Sequence, residues 1–150
     1  MIIISVDPGE TTGLFAVSGE SLRPYVNFEG NPYEAMRQLE YLLENDRGVP
    51  HVVCERYTQQ STRITPQYAA LETIGVVRWL CVNNDVELTL QSRSQKALIT
   101  TFMLKKIGWW TSGLAGHAND AARHALIWLA THHPNHTLVQ RTIGTIAAIG

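Results

Sequence analysis

Apolar residues fall in short β-branched runs early in the chain and at helical intervals later. Ile2–Val6 and Gly13–Val17 read as strands joined by a turn rich in Gly and Thr, and Pro24–Phe28 as a third strand. Asn31 and Pro32 supply an N-cap and a first-turn proline. The helix they open keeps Tyr33, Met36, Leu39, Leu42 and Leu43 at helical spacing and ends at "ENDRG". "HVVCE", His51–Glu55, is short and β-branched and predicts a buried strand ending in a carboxylate. The first strand also runs into a carboxylate, Asp7. Pro66–Val82 predicts a helix that is apolar almost all round, which suits either a central core helix or a face buried against another chain. "VELTL", Val86–Leu90, reads as a fifth strand. Ser94 caps a helix running to about Lys106, and a last helix starts at Asn119 or a neighbour and ends near "THHPNH". Thr137–Gly150 is apolar without a clear period and is assigned no element. The order β-β-β-α-β-α-β-α-α predicts an α/β fold. Its mixed five-stranded sheet has three antiparallel strands first and later strands entering through helical crossovers.

A chain of 150 residues, 45% hydrophobic and 17% charged, fits one soluble globular domain spanning 1–150. Its apolar runs fall short of the ~20 residues a membrane span needs. "MIII" lacks a basic n-region, so no secretory signal is expected and a cytoplasmic location fits. Cys54 and Cys81 both lie in apolar stretches and are expected to be free, buried thiols. The net charge of -1 conceals a division. Residues 1–55 carry 3 Lys/Arg against 9 Asp/Glu, whereas residues 56–106 carry 7 against 3. A basic middle third hints at an anionic partner, although a solvated helix face gives the same sum.

The chemistry concentrates on acids. Asp7 and Glu55 end two strands, and "GLAGHANDAARHALIWL" places His117, Asp120 and His124 at i, i+3 and i+7, on one side of a helix. Alanines on its packing side permit close approach to a sheet. If the first and fourth strands are neighbours, Asp7 and Glu55 meet at their ends and Asp120 joins them. Clustered carboxylates repel unless a cation is present. Oxygen ligands suit Mg²⁺ or Mn²⁺, and two such ions roughly 3.5–4 Å apart activate water and steady the leaving oxygen in phosphodiester hydrolysis. His117 suits a metal ligand or a proton carrier. Each acid also has a plainer role. Asp before Pro-Gly makes turns, Glu55 beside Arg56 suits a surface ion pair, and Asp120 suits a helix N-terminus. His132, His133 and His136 read as a solvated helix end.

Five segments, "ISVDPGETTGLFAV", "VVCERYT", "LETIGVVRWL", "QSRSQKALIT" and "GHANDAARHALIWL", resemble the RuvC-type Holliday junction resolvases of the RNase H-like superfamily, in their phage-encoded branch. The resemblance implies a metal-dependent, structure-selective endonuclease. It would act as a homodimer on Holliday junctions or other branched DNA and leave a 5′-phosphate and a 3′-hydroxyl. By position it implies catalytic and metal-binding roles for Asp7, Glu55, His117 and Asp120, with two Mg²⁺ ions per site and Mn²⁺ as a substitute. Some members carry Asp where His117 stands. "LETIGVVRWL" resembles the family's dimer helix, which implies a homodimer through the helix Pro66–Val82. Tyr57 stands where relatives carry an aromatic near the strand-four acid, suited to wedging against junction bases or to a core role. The basic stretch between Leu90 and Lys106 is shorter than the family's usual loop.

For phosphate contacts the basic middle third offers Arg56, Arg63, Arg93, Lys96, Lys105 and Lys106. Other readings stay open. A flap or fork endonuclease or a YqgF-type RNase is another single-lobe nuclease, but the YqgF pattern places an Arg soon after the first Gly, where this chain has "ETTG". Actin-like ATPases share a "DPGETTG"-like turn but close two lobes around the nucleotide. A non-catalytic clamp on branched DNA would not need all four candidate ligands.

Overall fold

The computed structural model describes residues 1–58 and 67–142. Five strands, β1 (Ile2–Asp7), β2 (Thr12–Ser18), β3 (Arg23–Gly30), β4 (His51–Glu55) and β5 (Leu88–Gln91), form one sheet in the order β3-β2-β1-β4-β5. β1, β2 and β3 are antiparallel neighbours, while β4 joins β1, and β5 joins β4, in parallel. The mixed sheet predicted from the alternation is therefore present, with the first and fourth strands side by side. β3 begins one residue earlier and ends two later than its apolar core suggested, and β5 is shifted toward Gln91.

Among the described residues, the sheet is covered by α1 (Pro32–Asn45), α2 (Tyr68–Asn83), α3 (Thr101–Lys106) and α4 (His117–His132). Alternation along each strand divides the core in two. Ile4, Val6, Leu14, Ala16, Val52 and Cys54 face α1 and α2. Ile3, Phe15, Val17 and Val53 face α3 and the alanine-rich side of α4, where Ala121, Ala122 and Ala125 are fully buried. Asn31 caps α1 as expected, its Oδ1 accepting the Glu34 N–H at 2.9 Å. Both cysteines are free and buried. Among the described residues no helix is long and apolar enough to cross a membrane.

The helix expected from Ser94 to Lys106 is a correction. A 3₁₀ segment, Arg93–Leu98, is separated from α3 by extended residues Ile99 and Thr100. The β-branched run Ile99-Thr100-Thr101 disfavours continuous helix. Thr100 caps α3 instead, its Oγ1 accepting the Met103 N–H at 3.2 Å. α4 begins at His117 rather than Asn119, after Gly116, whose φ of 108° an L side chain rarely adopts. The unassigned tail is helical over 137–142.

The register positions the site. Asp7 pairs with Gly13, Gly13 with Glu29, and Glu55 with Gln91, while Val6 pairs with Cys54 one step before Asp7 and Glu55. Glu29, Gly13, Asp7, Glu55 and Gln91 thus form one row across five strands, on the face that α4 covers. Gly13 is the low point of that row. A Cβ there would overlap the backbone of His117 and Ala118, so its absence lets the start of α4 lie directly on β2.

Candidate active site

Asp7 and Glu55 are only 6% and 9% exposed. Both line a cleft of about 860 Å³ together with His117, Asp120, Arg93, Lys96 and the Pro8–Thr11 turn. Asp7 does not make that turn. Thr12 closes it, donating its hydroxyl to the Gly9 carbonyl at 2.9 Å. The Asp7 carboxylate meets His117 instead, Oδ2 lying 3.1 Å from Nδ1. Glu55 does not pair with Arg56 either. Its Oε2 accepts from Lys96 Nζ at 3.1 Å and lies 3.0 Å from Nε2 of the fully buried His124. Lys96 Nζ also donates to Asp120 Oδ2 at 3.2 Å, and Arg123 donates to Asp120 Oδ1 at 2.9 Å. The three acids therefore converge, with one ammonium between two of them.

The start of α4 is fixed from β3. The Glu29 carboxylate accepts the N–H groups of Ala115, Gly116 and Ala118 at 2.9, 3.0 and 2.9 Å, satisfying donors that a helix start leaves unpaired. Burial pushes the Glu29 carboxyl up, but these backbone donors outweigh it and hold it below the usual carboxylate range. The helix break also serves the site. The Ile99 carbonyl, outside any helix, accepts from Arg123 Nε at 3.0 Å, and Thr101 Oγ1 accepts from its Nη2 at 3.0 Å. Arg123 is thereby aimed at Asp120.

Electrostatics divide the acids. Burial, then the Glu55 charge, raises Asp7 to about 6, against which Lys96 and His117 pull down. Burial alone would raise Glu55 too, but His124 and Lys96 hold it below the usual range. Burial pushes Lys96 down, and the three carboxylates more than restore it, so the ammonium stays charged. The pocket is still short of positive charge. Three carboxylates and an imidazole are a donor set for hard divalent ions, so the residues present fit Mg²⁺ or Mn²⁺ in kind. As the side chains stand, no group of three or more His, Cys, Asp or Glu among the described residues is arranged to hold a metal ion. Lys96 and Arg123 occupy oxygens of Glu55 and Asp120.

No family model matches the chain, and no curated protein sequence does. Solved structures do. RuvC of T. thermophilus in complex with a Holliday junction substrate superposes with a TM-score of 0.70 at 14% identity, covering 89% of this chain and 96% of that one. The chain has the RuvC fold. A second Thermus thermophilus RuvC structure gives 0.64 at 16% identity, covering 87% of this chain and 96% of that one. Fowlpox virus resolvase with its Holliday junction DNA gives 0.58 at 12%, covering 86% and 99%.

The expected DNA contacts scatter around the cleft. Arg93 lines it, Arg56 is exposed nearby, and Lys105 and Lys106 are exposed at the end of α3, Lys105 Nζ lying 5.4 Å from the Trp110 ring centre. Lys96 lies inside the site rather than on its rim. Tyr57 is half-buried, its hydroxyl accepting the Gln67 N–H at 3.3 Å. Arg63 falls outside the described residues. His132 and His133 stay exposed at the far end of α4, the His132 ring stacked on Trp128 and the His133 ring tilted against it. Sequence reasoning missed Glu29, Gln91 and Arg123 as parts of the site. Arg123 had a signal, standing three residues after Asp120 on one helix face; Glu29 and Gln91 had none short of the strand register.

The raised Asp7 carboxyl carries a stability consequence. Between pH 4 and 6 the folded protein binds a proton that the unfolded chain releases, so stability falls as pH rises through that window. Asp7→Asn removes a cost of roughly 3 kcal/mol at pH 8. Its melting temperature in EDTA is expected to exceed that of the wild type at pH 8 and to converge with it below pH 4. A lower melting temperature at pH 8 would contradict the assignment of Asp7.

Proposed function

We propose that this protein is a metal-dependent, structure-selective endonuclease that hydrolyses phosphodiesters in Holliday junctions or other branched DNA. The observation that carries the reading is the convergence of Asp7, Glu55, Asp120 and His117, from two strand ends and one helix, in a single cleft with Arg93 and Lys96. The RuvC fold agrees with it, and structures with that fold have been solved on Holliday junctions. Asp7, Glu55, Asp120 and His117 would hold two Mg²⁺ or Mn²⁺ ions, which supply Lewis-acid activation of water and charge stabilisation at the leaving oxygen. His117 uses Nδ1 toward Asp7, leaving its other ring nitrogen for a ligand or a proton. Lys96, released from Glu55 and Asp120, has the reach and charge to neutralise a phosphate oxygen, and Arg93 orients the backbone beside it. Arg56, Lys105 and Lys106 extend the anion-attracting surface.

A second copy of the chain is proposed as the protein partner. One side of α2 packs on the core through Ala70, Ile74, Val77 and Cys81. The other leaves Tyr68, Leu71, Trp79 and Val82 in solvent, Trp79 at 61% and Val82 at 78% exposure. Spaced at 68, 71, 79 and 82, these residues make one stripe along the helix. A like stripe from a second copy would bury it and set two clefts on one molecule of branched DNA.

The test of activity is a panel of four-way junction, fork, flap and duplex DNA with Mg²⁺, Mn²⁺ or EDTA. Cleavage of branched DNA only with a divalent ion is expected, reduced at least ~10²-fold in Asp7→Asn while junction binding persists. Undiminished cutting by that variant, or equal cutting of plain duplex, would contradict the proposal. For assembly, light scattering should report a dimer for the wild type and a monomer for Trp79→Glu. A variant that remains dimeric places the interface elsewhere.

A further inference from the structure

Glu55 sits on a second pair of side chains that the proposed reaction does not itself require. His124 is two turns into α4, fully buried, with both ring nitrogens engaged. Nε2 meets Glu55 Oε2 at 3.0 Å, and Nδ1 meets Gln91 Oε1 at 2.8 Å. Gln91 is itself buried and is the register partner of Glu55 on the neighbouring strand. A glutamine can offer either its oxygen or its nitrogen to an imidazole, so it steadies the ring in either tautomer. Lys96 binds the same Glu55 oxygen as His124, so His124 continues to hold the carboxylate when the ammonium gives way to an ion. A glutamate with a free side chain rotates among several rotamers, and fixing one of them lowers the ordering cost of binding an ion.

We propose that His124, steadied by Gln91, is a positioning residue that locks the Glu55 carboxylate in the orientation that receives a divalent ion. A buried hydrogen bond behind a ligating group orients it and raises the affinity of the site. The role depends on the burial of His124 and on the strand register that brings Gln91 beside Glu55. It deepens the nuclease reading and rests on it, since Glu55 is given an ion to hold.

The test is Mn²⁺ titration of the whole protein without DNA, followed by calorimetry or electron paramagnetic resonance, beside junction cleavage. Two substitutions separate the hydrogen bond from packing. His124→Leu keeps much of the volume and removes the donor. His124→Gln keeps an N–H where Nε2 stands. His124→Leu is expected to weaken Mn²⁺ binding ~10–100-fold, and to lower kcat for a junction while KM for DNA stays put. His124→Gln should recover most of the affinity. Gln91→Leu, which leaves His124 in place, should weaken Mn²⁺ in the same direction and serves if His124→Leu does not fold. Wild-type affinity in both His124→Leu and Gln91→Leu would overturn the proposal. So would equal loss in the Leu and Gln variants of His124, which would point to packing alone. A wild type that binds Mn²⁺ but cuts no branched DNA would remove the nuclease reading, and the affinity series would still decide the role of His124.

Discussion

Carboxylates gather in a protein interior only where cations, hydrogen-bond donors or a retained proton offset their repulsion and lost hydration. Asp7 and Glu55 are almost fully buried at adjacent strand ends, and Asp120 comes down on them from α4. Removing such charges from water costs several kcal/mol each unless they are paired. In this fold the compensation comes from Lys96, which bridges Glu55 and Asp120, from Arg123 on Asp120, and from the imidazoles of His117 and His124. The compensation is incomplete, as the raised Asp7 carboxyl shows. An acid kept at that cost is a common sign of a working site rather than of a stabilising one.

The rest of the architecture can be understood as the means of holding this pocket. One helix crosses one row of the sheet. From β3 to β5 the row presents Glu29, Gly13, Asp7, Glu55 and Gln91, and α4 meets it with its backbone start, with His117 and with His124. Glu29 caps the helix, Gly13 lets it sit close, and Asp7 takes its first side chain. Farther along, Glu55 and Gln91 share His124. Buried alanines beneath α4 keep the helix near the strands, so the site geometry follows from backbone packing as much as from hydrogen bonds. The break before α3 supplies the last support, because a continuous helix would have consumed the Ile99 carbonyl that Arg123 uses.

Much of this was legible in the residues. Alternation and turns located all five strands, the cap Asn31-Pro32 located α1, and the spacing of His117, Asp120 and His124 put them on one helical face. The parts that escaped are those set by contacts far apart in sequence. Lys96 belongs to a basic stretch and reads as a phosphate contact, yet 41 residues separate it from Glu55, the carboxylate it binds. Glu29 looks like an ordinary exposed-strand acid, and only the pairing of β2 with β3 brings it under α4. The split of the predicted 94–106 helix was readable in principle from Ile99-Thr100-Thr101. Its consequence for Arg123 was not, since the acceptor is a backbone carbonyl that no residue type announces.

On the proposed reading the acid pocket takes divalent cations, which displace Lys96 and Arg123 from its oxygens. Anomalous diffraction from crystals grown with Mn²⁺ tests it most directly. Manganese is expected between the side chains of Asp7, Glu55 and Asp120, with the Lys96 ammonium moved off Glu55. Manganese found only elsewhere, or a Lys96 bridge that persists in saturating Mn²⁺, would contradict it.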